Sequence, residues 1–254
     1  MNRAAAPHNL TVVKLGGSLI DADGGGVVLT AVARARARGE RLLLVHGGGG
    51  AFSRWLARFG VPSRFLAGQR VTTPDMLPPA LMVLGGLLNR GIVEGLARRD
   101  CPAIGLTGAD GGAVVARRAR RGRLGAVGEV TAVNARLFHA LIEAGQVPVV
   151  ASLAWSRRHG WLNVNADLMA AALAAGLRAR RLLLLTDTPG VRDAGGVWLT
   201  RLTIEGIGAL VRGGGATGGM IPKLQACRQA LHAGVPDVRI APGLRSRRGT
   251  QVTS

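Results

Sequence analysis

Short apolar runs alternate with longer amphipathic stretches along almost the whole chain. Residues 10–15 and 41–45 have strand length and strand chemistry, and each run stops at glycines. Gly16-Gly17 follow the first; Gly47-Gly48-Gly49-Gly50 follow the second, after His46. Residues 103–106, 147–151, 181–185 and 238–241 carry the same signature. Between these runs the pattern predicts helices over 27–38, 52–59, 79–98, 135–144, 167–177, 204–211 and 224–233. The first keeps its cations on one outer face, and the third has proline near its start, where a missing N–H costs nothing. Residues 113–133, with Gly and Arg set between valines, predict a hairpin projecting from the sheet.

Strands alternating with helices predict an α/β fold: a mainly parallel central sheet inside a three-layer αβα sandwich. No repeat or low-complexity linker divides the chain. Two lobes, 1–155 and 156–254, are therefore expected to share one sheet. Ligands collect at the carboxyl ends of such strands, and the glycine and polar clusters lie there.

Composition narrows the class. The chain has 254 residues, 48% of them hydrophobic, enough for a sizeable core and too apolar for intrinsic disorder. No uninterrupted apolar run reaches roughly 18 residues, so no membrane-spanning helix is expected. Lys14-Leu15-Gly16-Gly17 breaks any secretory signal. Cys101 and Cys227 stand far apart without metal-site spacing, which points to a reducing cytoplasm and neither a disulfide nor a zinc framework.

The net charge of +19 adds a sharper clue: of 33 cations only Lys14 and Lys223 are lysine. Where arginine has replaced nearly every other cation, a surviving lysine marks a position that needs a compact ammonium rather than a planar fork.

Both lysines sit in candidate chemistry. Lys14 ends a buried strand before Gly16-Gly17-Ser18, where backbone N–H groups can face an anion; the alternative is a strand-end lysine reaching solvent. Lys223 follows Gly215-Ala216-Thr217-Gly218-Gly219 in the first turns of a helix. A cation there opposes the helix dipole unless an anion lies between them.

The His46–Gly50 run permits close backbone approach to a ligand but matches neither a P-loop nor a dinucleotide fingerprint. His46 reads as a structural hydrogen-bonder. Gly213, Gly215 and Gly218 do fit GxGxxG, but after a helix rather than a strand. Gly68-Gln69-Arg70-Val71-Thr72 is a loop cation or an anion contact. Asn163-Val164-Asn165-Ala166-Asp167 offers more amides than one helix cap needs. Thr186-Asp187-Thr188-Pro189-Gly190-Val191-Arg192 is a β-turn or a nucleotide-contacting loop at a strand end.

Taken in order, these segments resemble the amino-acid kinase family over residues 12–238. Ile104-Gly105-Leu106-Thr107-Gly108-Ala109-Asp110-Gly111-Gly112 and Gly128-Glu129-Val130-Thr131-Ala132-Val133-Asn134 are similar to it as well. The resemblance implies phosphorylation of the side-chain carboxylate of N-acetyl-L-glutamate by ATP with Mg²⁺, a step of arginine biosynthesis. It assigns Lys14 and Lys223 to charge neutralisation on the transferred phosphoryl group and Asp167 to their organisation. It assigns Gly48, Gly49, Arg70 and Asn163 to the acyl amino acid. Gly16, Gly17, Asp187, Thr188, Pro189, Gly190, Val191, Arg192, Gly215, Ala216 and Thr217 fall to ATP.

The chain departs from the family pattern in four places, the first being Gly50-Ala51-Phe52, where the family has a bulkier or Pro-containing continuation. Arg90 stands where lysine is common, Pro78-Pro79 intrude near a helix start, and residues 239–251 are compressed. The segment 4–7 is too short for the N-terminal helix that joins arginine-inhibited relatives into hexamers, so a homodimer without strong arginine feedback is expected.

There are two rival readings, one within the same family and one from another class. A same-family kinase acting on carrier-linked aminoadipate or glutamate would exploit the positive charge to steer an acidic carrier. A nucleic-acid-binding protein would use the arginines directly, but they are dispersed apart from 117–123 and 245–248, and aromatics make up only 3%. No specific nucleic-acid partner and no membrane partner is expected.

Overall fold

A computed structural model describes residues 8–21, 25–119 and 124–254. The expectations for residues 4–7 and for the arginine-rich tip at 120–123 lie outside them. β1 (His8–Leu15) leads into the short α1 (Gly17–Asp21) and then α2 (Gly26–Ala37). β2 (Arg41–His46) leads into α3 (Gly49–Arg58), which starts inside the glycine run, three residues ahead of the expected helix. A small hairpin of β3 (Arg64–Leu66) and β4 (Gln69–Val71) follows.

A continuous helical rod, Pro74–Ala97, comes next, starting five residues ahead of the expected helix. It contains α4 (Leu77–Ala80), a π-helical stretch (Leu81–Leu88) and α5 (Asn89–Ala97). Pro78 and Pro79 fall in its first turns, where they break no ladder hydrogen bond. By length and composition the rod could cross a membrane: it has 24 residues, with mean hydropathy 1.4 in its most apolar window. Gly85-Gly86 and Asn89-Arg90 interrupt its apolar run, yet the average hydropathy stays high. One face of the rod lies against protein, with Ala80, Val83 and Leu84 in one core cluster and Ile92 and Leu96 in another.

β5 (Ala103–Leu106), β6 (Val114–Arg118) and β7 (Gly128–Val133) precede α6 (Ala135–Glu143) and β8 (Val147–Ala151). β6 and β7 form the expected antiparallel hairpin. A second hairpin, β9 (Leu153–Ser156) and β10 (Gly160–Asn163), was not anticipated. Together they make a separate four-stranded sheet, β10-β9-β6-β7.

α7 (Ala166–Gly176) and β11 (Ala179–Leu185) are followed by the two-stranded ribbon of β12 (Val191–Arg192) and β13 (Trp198–Leu199). β14 (Arg201–Thr203), α8 (Ile204–Arg212), α9 (Met220–His232), β15 (Asp237–Ala241) and β16 (Thr250–Thr253) complete the chain. The compressed segment 239–251 thus still yields a last strand, antiparallel to β15 and parallel to β14.

The central sheet has eight strands in the order β14-β16-β15-β11-β1-β2-β8-β5, parallel except for the β15–β16 pair. β1 sits between β2 and β11, so the two halves of the chain meet in one sheet. Alternate residues face opposite sides. Val12, Leu43, Val45, Leu182 and Leu184 pack towards α7 and α9; Val13, Leu15, Leu44, Leu183 and Leu185 pack towards α2 and α5. Burial on both faces explains why these strands read as unbroken apolar runs rather than alternating ones.

Candidate active site

The carboxyl ends of β1, β2 and β11 open into a cavity of about 600 Å³, in the range of small-molecule sites. The loops after β1 and β2 meet there backbone to backbone. A Cβ on Gly17 would lie 2.8 Å from the Cα of Gly49, and one on Gly49 would lie 2.9 Å from the Cα of Gly17. Gly49 also has φ +46, so both spacing and conformation require glycine. Gly48 lies between Leu84 and Phe52, with no room for a side chain. Two glycine strips thereby lie side by side along the cavity wall, bare enough for an anion to approach the backbone.

Three charged side chains converge beside them. Asp167 Oδ1 accepts from Lys223 Nζ at 2.9 Å and lies 3.2 Å from Lys14 Nζ. One carboxylate oxygen therefore spans an ammonium from the first strand of the chain and another from its last helix. Asp167 sits in the first turn of α7, where the dipole favours a carboxylate. Asn165 caps that helix, its Oδ1 accepting from the N–H groups of Asp167 and Leu168, so this amide is used by the fold. Lys223 lies in the first turn of α9, unfavourable for the dipole, and Asp167 offsets that cost.

Burial alone would raise the Asp167 carboxyl, but the adjacent Lys14 and Lys223 outweigh it and hold the group at about 2. Burial pulls Lys14 below the usual lysine value, Asp167 opposes that pull, and Lys223 adds to it. Two cations share one anion in a buried setting, leaving one uncompensated positive charge facing the cavity. Cys227, packed behind this cluster, is pushed up to about 12 by burial, so its thiol is inert there.

On the opposite wall, Arg70 is held by aromatic faces and hydroxyls. Its guanidinium carbon lies 4.9 Å from the Phe52 ring centroid and 4.6 Å from that of Phe65. Its nitrogens donate to Ser53 Oγ at 2.7 Å and to Ser63 Oγ. Asn163 Nδ2 donates to Thr72 Oγ1 at 2.9 Å, which orients the amide at the cavity edge. The β3–β4 turn reaches the other half of the molecule: a Cβ on Gly68 would collide with the Gly218 carbonyl, and Gly68 has φ +74.

His46 lies beneath the glycine loop, fully buried. Asn89 Nδ2 lies 3.0 Å from His46 Nε2 and donates to the Val149 carbonyl at 3.0 Å. Because an amide nitrogen only donates, Nε2 accepts, and Nδ1–H donates to the Gly47 carbonyl at 3.1 Å. Burial lowers His46 to about 4, against the Gly47 bond. The neutral ring is a clamp on the loop, not a base.

The cavity gathers Lys14, Gly16, Gly17, Gly48, Gly49, Arg70, Asn163, Asp167, Asp187, Thr188 and Lys223. It does not gather Pro189, Gly190, Val191, Arg192, Gly215, Ala216 or Thr217. Val191 and Ala216 are core side chains. Arg192 lies 4.0 Å over the Trp198 ring, and the Val191 N–H donates to Thr250 Oγ1. The Pro-Gly turn carries this segment away into the β12–β13 ribbon. Missed in the sequence were Ser53, Phe65, Ser152 and Asn89. Only Asn89 left a signal, a polar residue on an apolar helix stripe.

This fold, with paired ammonium groups over glycine loops, defines a class. The chain belongs to the amino acid kinase family, whose model matches residues 9–242, and it is a kinase using ATP as substrate. The acetylglutamate kinase of Koribacter versatilis is 45% identical over 237 residues, covering 92% of this chain and 91% of that protein. The acetylglutamate kinase of Geobacillus kaustophilus is 39% identical over 233 residues, covering 91% and 89%. Among solved structures, smu.665 from Streptococcus mutans UA159 superposes with TM-score 0.89 at 31% identity, covering 96% of this chain and 98% of that one.

Proposed function

We propose that the chain phosphorylates the side-chain carboxylate of N-acetyl-L-glutamate with ATP, the acetylglutamate kinase step of arginine biosynthesis. The observation that carries this reading is the Lys14–Asp167–Lys223 cluster facing the glycine loops. A carboxylate acceptor has an unperturbed pKa of about 4.3 and needs no general base. The barrier is bringing one anion against another. Lys14 and Lys223 stabilise the charge that builds on the equatorial oxygens in flight, while Asp167 fixes both ammonium groups in place beforehand. Gly48 and Gly49 cradle the reacting carboxylate, Arg70 pairs with the α-carboxylate, and Asn163 orients the acyl amide.

The nucleotide lies on the side of Asp187 and Thr188, mainly against the half formed by 156–254 with Gly16 and Gly17 from the first half; residues 1–155 supply most of the acceptor contacts, and Asn163 joins them from the second half. Pro189–Arg192 and Gly215–Thr217 act from outside the open cavity, through backbone groups when the nucleotide is bound. The donor set fits Mg²⁺ carried by nucleotide oxygens: Asp187 is the cavity carboxylate not engaged by an ammonium, and one carboxylate plus phosphates is a common arrangement. When bound, the ion would neutralise phosphate charge.

A homodimer in the cytoplasm belongs to the same proposal. Met82 and Leu87 on the Pro74–Ala97 rod are 61% and 53% exposed, an apolar face suited to a second copy. Both cysteines are unpaired, as a reducing compartment implies.

A coupled ADP-release assay across N-acetylglutamate, glutamate, aspartate, aminoadipate and a carrier-linked acceptor tests the assignment. N-acetylglutamate should give the highest kcat/KM; preference for the carrier-linked acceptor would replace this reading.

A further inference from the structure

The sheet face that packs on α2 changes character towards the amino ends of its strands. Val13, Leu15, Leu183, Leu185 and Ala241 are core. Two or more residues earlier on the same face stand Thr11, Arg181 and Arg239, with Asp237 in register beside Arg181. Charged groups there line two adjoining cavities of about 390 and 470 Å³ that share Glu40, Arg181 and Arg245. Arg38, Arg41 and Arg180 complete the first cavity's cations; Arg239 and Arg247 complete the second's.

The acids present do not balance this charge. Glu40 pairs with Arg38 and Arg245, and Asp237 with Arg181 Nε at 2.5 Å. Among the described residues, Arg41, Arg180, Arg239 and Arg247 have no ion-pair partner. A second observation converges on the same place. Among the described residues, two buried side-chain polar atoms lack any partner, both on β15: Arg239 Nε, which lines the second cavity and needs an acceptor, and Asp237 Oδ1, which lines neither cavity and calls for a donor instead. Buried polar groups are normally satisfied, so an orphaned guanidinium nitrogen beside a cationic hollow marks a missing acceptor.

We propose that this hollow is a second binding site, separate from the kinase cavity, for a small multivalent oxyanion. Guanidinium forks match carboxylate and phosphoryl oxygens two at a time. Several forks around one concavity favour a ligand with more than one anionic group. Glu40 stays paired and spaces Arg38 from Arg245, so it opposes the ligand less than a free carboxylate would. The site is at the amino ends of the strands and the kinase cavity at their carboxyl ends, and the proposal does not depend on the acceptor assigned above.

Isothermal titration of the full chain at ~150 mM salt, where diffuse surface binding is screened, tests it with inorganic tripolyphosphate and, separately, citrate. At least one probe should bind at one Lys14-independent site per chain, apart from any tripolyphosphate that enters the kinase cavity. Which one binds distinguishes a phosphate chain from a polycarboxylate. Binding should weaken roughly tenfold or more in Arg239→Gln and in Arg41→Ala/Arg180→Ala, yet persist in Lys14→Met. Arg41 and Arg180 are exposed, so the double variant keeps the test sound if Arg239→Gln fails to fold. The proposal is overturned if neither probe binds at such a site, if that binding survives the arginine substitutions, or if Lys14→Met abolishes all binding.

Discussion

The two ends of one parallel sheet hold positive charge in opposite ways. At the carboxyl end, two lysines are buried around a single carboxylate oxygen, each about 3 Å from it, under glycine loops that admit backbone to the ligand. At the amino end, arginines outnumber their carboxylates, remain partly in solvent, and leave a guanidinium nitrogen unpartnered. The first arrangement fixes point charges where charge develops during a reaction, and its desolvation makes each position matter. The second is a loose collector of oxyanions, whose members act more independently. The contrast explains why the sequence spares two lysines among its arginines: a planar fork suits the amino end, and only a compact ammonium fits two to an oxygen at the carboxyl end.

The contrast breaks most visibly at Asp167. Asp167→Asn leaves two buried ammonium groups facing each other. Unfolding in urea should show a loss of about 3–5 kcal/mol, with kcat falling as well. Removing Glu40, by comparison, should cost no more than about 1 kcal/mol, because its partners are exposed. Next come the lysines themselves. Lys14→Arg or Lys223→Arg should fold, by circular dichroism, yet lose about 10²–10³-fold in kcat. The same interchange in reverse, Arg41→Lys, should leave kcat unchanged.

Acid should probe the clamp beneath the loop. His46 sits at about 4 in the fold against an ordinary value of 6.5, so the unfolded chain binds its proton first. Stability is therefore full above 6.5 and declines as pH falls towards 4, by about 2–3 kcal/mol at the lower end. Denaturant midpoints between pH 7.5 and 4.5 read this directly, and His46→Gln should flatten that slope. The Asp167 contribution, with its carboxyl at about 2, is lost only below about 3.8, outside this window.

Much of the kinase end was legible because its signals are local. A strand ending in glycine, a lysine kept against the compositional trend, and an Asn–Asp pair before an Ala-rich helix each stand within a few residues. What stayed hidden depends on distant partners. The β9–β10 hairpin is fixed by Trp155 packing edge-on against Trp161 across the strands, at 5.5 Å between centroids, around an Arg157-Arg158-His159 turn whose one glycine, Gly160 at φ +68, opens β10. Asn89 meets His46 from a helix 43 residues later in the chain, at the end of a π-helical stretch that period-3.6 reading does not foresee. Pro189–Arg192 lies outside the open cavity because the terminal strand holds it through Thr250, a partner 59 residues away that no local signal foretells.

The account stands or falls on the two ammonium groups acting on one phosphoryl group as a unit. A double-mutant cycle on kcat with Lys14→Met, Lys223→Met and the combination measures this. Each single change should cost about 10²–10³-fold, and the pair should cost far less than the product of the two. Near-normal turnover in either single variant, or losses that multiply in full, would contradict it.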